Sequence, residues 1–119
     1  PGNGTPCEVF VWDDPTNDGD PSDCVLLARE PTTVQNVDKN VVTVIPLSVP
    51  VTVSGEFYVG CVMTHQVGQY CAPADSTTPY VSGRTFFCGT DTPGAFNPTN
   101  LTANQYPPSD AGVYMCIRA

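Results

Sequence analysis

The chain has 119 residues, 40% of them hydrophobic, with 10 glycines and 13 prolines, a composition that suits one domain of short strands and many turns rather than a disordered tail. Twelve acidic residues face four basic ones, for a formal charge of −8. That leaves nucleic acid without a cationic face to bind and disfavours anionic membrane surfaces.

Val, Ile and Thr account for 32 residues, the material of strands. Residues 1–6 read as a flexible lead-in and residues 7–119 as a single all-β domain, a disulfide-stabilised β-sandwich of jelly-roll form. Cys7-Glu8-Val9-Phe10-Val11-Trp12 is a first strand with large apolar residues on both faces, which suits an edge or a strand covered twice. Residues 13–23, Asp-Asp-Pro-Thr-Asn-Asp-Gly-Asp-Pro-Ser-Asp, form an acidic loop through which no regular element can run. Strands are expected at 24–28, 32–37 and 41–45. Pro46 and Pro50 then mark an edge or a crossing between sheets.

The strongest strand covers 56–65, with Phe57, Val59, Cys61 and Met63 on one face and Gly60 placed for a close approach. Residues 66–82 are irregular, 84–88 form another strand, 89–112 are loop with Phe96, Leu101 and Tyr106 as anchors, and 113–118 close the fold. No apolar run reaches the roughly 18 residues that a membrane-spanning helix needs. The start at Pro1, without a charged and apolar leader, suits either a processed chain or a fragment.

Cys7, Cys24, Cys61, Cys71, Cys88 and Cys116 include no CxxC pair, which argues against zinc and for three disulfides in a secreted or cell-surface protein. Fifteen pairings are open to six cysteines. The expected one is Cys7–Cys24, Cys61–Cys116 and Cys71–Cys88. Asn3-Gly4-Thr5 and Asn100-Leu101-Thr102 are glycosylation acceptor triplets.

The acidic loop carries the sharpest chemistry. With Asp14 at position one of a calcium loop, Thr16, Asp18, Asp20 and Ser22 fall at positions three, five, seven and nine, and Gly19 at six. Val25 stands where the bidentate glutamate belongs, so an EF-hand is excluded and a weak calcium loop competes with a solvated acidic turn. His65, the single histidine, lacks a nucleophile elbow nearby, and no catalytic residues are expected. Asp75 and Arg84 are spaced to close the irregular segment as an ion pair. Trp12, Tyr58, Tyr70, Tyr80, Phe86, Phe87, Phe96, Tyr106 and Tyr114 are the aromatics from which a carbohydrate platform would be drawn.

Several phrases occur together: Val11-Trp12-Asp13-Asp14-Pro15, Gly55-Glu56-Phe57-Tyr58-Val59-Gly60, Gly68-Gln69-Tyr70, Ala72-Pro73-Ala74-Asp75, Gly83-Arg84-Thr85-Phe86 and Met115-Cys116-Ile117-Arg118-Ala119. Through them the chain resembles, from Val9 to Ala119, an uncharacterised β-sandwich module found near the C-terminal ends of large secreted bacterial peptidases and surface proteins. Met115 and Cys116 replace a tryptophan and an apolar residue of that module, and Cys71 stands where it often has a proline. The resemblance implies an accessory role in adhesion, spacing or attachment and transfers no catalytic residue.

The expected function is therefore a non-enzymatic structural or assembly module, possible subunit of a filament, with copies of itself or other surface proteins as partners. Residues 1–6 and the strand 7–12 would make the contacts. A ligand-binding module for carbohydrate or calcium is the alternative.

Overall fold

The computed structural model describes residues 2–69, 74–75, 79, 81–111 and 114–115. Seven strands are present among the described residues: β1 (Pro6–Asp13), β2 (Val25–Thr33), β3 (Phe57–Met63), β4 (Ala74–Asp75), β5 (Phe86–Gly89), β6 (Tyr106–Asp110) and β7 (Tyr114–Met115). They form three antiparallel sheets, ordered β2-β1-β3, β4-β7 and β5-β6. Two 3-10 turns, at Pro21–Asp23 and Leu101–Ala103, are the only helical elements among the described residues.

The all-β expectation holds, but the jelly roll does not form. One three-stranded sheet and two two-stranded ribbons cannot make the paired four-stranded sheets of that architecture. Of the strand expected at 32–37 only Thr32 and Thr33 are formed, as the end of β2, and the one expected at 41–45 is absent; left-handed backbone at Asn36 (φ 57°) and Asp38 (φ 59°) lies between them, and Pro46 follows. In β6, Pro107 and Pro108 lack the N–H that a ladder needs, and its register with β5 shifts between Phe87 and Gly89.

β1 is the central strand, flanked by β2 and β3, so the expected edge role is corrected: both sides of its backbone are occupied. Its register pairs Phe10 with Arg29 on one side and Gly60 on the other. Phe10 and Trp12 stack with centroids 5.1 Å apart and form the core with Cys24 and Leu101, packed by Leu26, Tyr58, Val62, Cys88 and Phe96. Gly60 is required there, since a Cβ would approach Trp12 Cζ3 to 2.9 Å. The lead-in does not stand free either. Gly4 N–H donates to the Val34 carbonyl and Val34 N–H to the Thr5 carbonyl, prolonging the β1–β2 hairpin.

The loop 89–105 closes the core from above. Trp12 Nε1 donates to the Pro98 carbonyl at 2.8 Å, and buried Asn104 donates to the Asn97 and Leu101 carbonyls while accepting from Asn97 N–H. These bonds satisfy polar groups that burial would otherwise strand without partners.

Disulfide stabilisation is also corrected. Among the described residues no disulfide is present, and Cys7, Cys24 and Cys88 are thiols. The β1–β2 register explains the first case: Cys7 lies opposite Thr32, whereas Cys24 precedes Val25, which lies opposite Asp13. Six strand positions separate the two ends, roughly 20 Å, against a Cα limit of about 7 Å for a bridge. Cys88 donates to the Leu101 carbonyl instead of bonding Cys71. Cys71 and Cys116 lie outside the described residues.

Candidate functional site: the acidic loop and its cleft

The loop between β1 and β2 is built around Asp14, whose side chain is fully buried. Its Oδ1 accepts from Asn17 N–H at 2.9 Å and lies 3.2 Å from Thr16 Oγ1, while its Oδ2 accepts from Gly19 N–H at 2.9 Å. Positive φ at Asn17 (54°) and Gly19 (75°) turns those N–H groups inward. Burial alone would raise the Asp14 pKa, but the hydrogen bonds from Gly19, Thr16, Asn17 and Asp18 outweigh it and hold the carboxyl below its ordinary value.

A second tier pins the loop to the start of β3. Asp14 N–H donates to the Glu56 carbonyl, and Glu56 N–H donates to Asn17 Oδ1 at 2.7 Å. Asp18 Oδ1 accepts from Asp20 N–H, and Asp20 Oδ1 accepts from Ser22 N–H to cap the 3-10 turn.

Of the residues expected to bind calcium, the structure gathers Asp14 and Asp18 and adds Asp23, each with an oxygen within 4.8 Å of the others. These three carboxylates can hold a metal ion. The Thr16 hydroxyl lies between Asp14 and Asp23, nearer Asp23 Oδ2 at 2.9 Å. Asp20 falls outside the group, and its Oδ1 caps the 3-10 turn by accepting from Ser22 N–H. Asp23 escapes a loop-position count and is found only through the fold: the Pro21–Asp23 turn brings it back beside Thr16.

The negative charge reaches the neighbours. Burial, followed by Asp14, Asp23, Asp20 and Asp13, pushes the Cys24 thiol up to about 12. Burial, followed by Cys24, Asp14, Glu56 and Asp20, pushes Tyr58 up to about 12. Cys24 is therefore an inert core thiol at neutral pH.

Beside this loop opens a cleft of about 430 Å³ where three turns meet: Asp18 and Gly19, then Gly55 to Tyr58, then Ser82 to Arg84. The expected pair of Arg84 with Asp75 involves a side chain that lies outside the described positions; Arg84 Nη1 stands 3.9 Å from Glu56 Oε1. His65 is exposed at the end of β3, its Nδ1 3.1 Å from the Gln66 carbonyl. Trp12 belongs to the core, Tyr58 and Phe86 meet edge-on, and Phe87 and Tyr106 are exposed. Tyr70 and Tyr80 lie outside the described residues, and so does the side chain of Tyr114. Phe57, absent from the expected aromatic set, is 38% exposed at the cleft.

No family model matches this chain, and neither a curated protein nor a solved structure matches it. No helix among the described residues is long and apolar enough to cross a membrane.

Proposed function

We propose that the chain is a non-enzymatic accessory module of a secreted or cell-surface protein, and that its acidic loop takes calcium as a structural ion. The gathering of Asp14, Asp18 and Asp23 carries this reading. All-oxygen donors on a turn-rich loop suit a hard cation of flexible coordination, and magnesium, which demands a stricter octahedron, suits the loop less well. The Asp14 oxygens already accept N–H bonds, so the ion draws mainly on Asp18 and Asp23 and binds weakly, with Kd near 10⁻⁴–10⁻³ M as in extracellular modules. The accessory role is supported by the phrases at residues 11–15, 55–60 and 83–86 that resemble the secreted module.

Melting curves test the ion. With Kd near 1 mM, about 10 mM calcium stabilises the folded state by roughly 1.4 kcal/mol and raises Tm by about 5 °C relative to chelator. Superimposed curves reject the site.

Assembly with copies of itself or another surface protein is a second reading, favoured by one observation: Val41, Val42, Val44 and Val49 are all more than 60% exposed in a segment without regular structure. The contact would then lie on residues 41–49 and not on the lead-in, which is paired within its own chain. Light scattering over a concentration series decides it, and a constant monomer mass removes the reading.

A further inference from the structure

The cleft beside the acidic loop is assembled by hydrogen bonds that fix each of its walls. Asp14 fixes the Asp18-Gly19 wall, Asn17 Oδ1 holds Glu56 N–H, and Asp110 Oδ2 accepts from both Ser82 Oγ at 2.6 Å and Gly83 N–H at 3.0 Å. The walls are therefore organised before any ligand arrives, which lowers the ordering cost of binding. Glycines with positive φ, Gly19, Gly55 and Gly83, stand one on each wall and keep the opening free of side chains.

The groups facing the space are unsaturated. Arg84 and Glu56 are loosely paired at 3.9 Å, with 64% and 46% of their side chains exposed. Tyr58 also lines the space, and its Oη has no hydrogen-bond partner among the described residues. An anion would meet the carboxylates of Asp18 and Glu56 beside Arg84. A cation would compete with Arg84 for Glu56 and leave the guanidinium unanswered. A vicinal diol satisfies both groups without net charge, since its hydroxyls donate to the carboxylate and accept from the guanidinium. A sugar ring offers such diols, and 430 Å³ lies within the range of about 300–1,000 Å³ usual for small-ligand sites.

We propose that this cleft binds a neutral pyranose unit of a polysaccharide, its hydroxyls shared by Arg84, Glu56 and Tyr58. This goes beyond the calcium reading and fails separately from it, since calcium is judged by melting and the cleft by retardation. The test is native electrophoresis of the full chain, with calcium present, through gels containing hydroxyethylcellulose, xylan, mannan or, as the charged control, polygalacturonate. At least one neutral polymer retards the protein, the retardation survives a tenfold rise in salt, and Tyr58→Phe and Arg84→Ala each weaken apparent affinity about five- to tenfold. Unchanged mobility with all three neutral polymers overturns the site. So does retardation by polygalacturonate alone, or wild-type retardation of both variants. If melting shows Tyr58→Phe to be poorly folded, the exposed Arg84→Ala decides the matter.

Discussion

Residues 14–23 contain hardly any apolar side chains, yet they form an ordered loop around one buried carboxylate. Residues 34–55 are rich in valine, yet Val41, Val42, Val44 and Val49 stay exposed and no strand forms. The contrast shows that hydrophobic content does not by itself order a chain. The acidic loop satisfies its backbone: Asp14 accepts from Asn17 and Gly19, Asp20 from Ser22, and Asn17 from Glu56. The valine segment has fewer such anchors, chiefly Glu30 accepting from Ser48 N–H and Oγ, and Asn36 Nδ2 donating to Thr43 Oγ1. Prolines at 46 and 50 deny it the N–H groups with which a ladder beside β2 would be built.

Asp14→Ala breaks the contrast most directly, by leaving inward-facing N–H groups without an acceptor. Tm is expected to fall by about 10 °C or more in calorimetry. Asp14→Asn keeps an acceptor oxygen and falls less. The same residue sets an acid limb. Its folded pKa lies below its unfolded value, so its stabilisation is complete above roughly pH 4–5 and is lost as pH falls through the folded value. Melting from pH 6 down to pH 2 shows this limb in the native protein, and Asp14→Asn flattens it. A variant with an unchanged acid limb would assign the effect to another carboxyl, such as Glu30, whose pKa the Ser48 bonds also lower.

Gly55→Ala is the next largest. Gly55 has φ 80°, and an added Cβ would collide with the Asn17 amide that accepts from Glu56. A left-handed alanine costs about 1 kcal/mol, and displacing Asn17 adds a similar amount, so Tm falls by roughly 5–10 °C. A fall below 2 °C would mean that the loop tolerates losing its tie to β3.

The smallest effect sharpens the other side of the comparison. Val42→Ser, at a residue 71% exposed, is expected to change stability by less than about 0.5 kcal/mol in urea unfolding of the dilute protein. A larger loss, growing with protein concentration, would show that the valines are covered by another copy.

Much of the fold was legible locally. The strand at 7–12, the one at 56–65 and the close approach at Gly60 follow from side-chain pattern, because period-two burial and an absent Cβ are properties of short stretches. The acidic loop was legible too, through Asp, Asn and Gly at turn positions. The strand pattern at 41–45 misled, because alternation describes a segment that can join a sheet, and a sheet also needs an available neighbour. Around the cleft, local spacing gave no sign of the neighbour that the fold sets beside Arg84, which is Glu56, 28 residues away.

By itself the sequence determined an acidic all-β chain, a loop crowded with turn-forming carboxylates, and the residues able to build a core. Strand order, register and cysteine separation were decided only by the tertiary structure. The place of β1 at the centre of its sheet depends on ladders formed with residues about 20 and 50 positions away. That placement carries Cys7 and Cys24 to opposite ends of one hairpin. It also brings Gly55 to Tyr58 alongside the acidic loop, and with Ser82 to Arg84 this forms the cleft. Local pattern states what each residue can do, and only the pairing of distant strands states which residues meet.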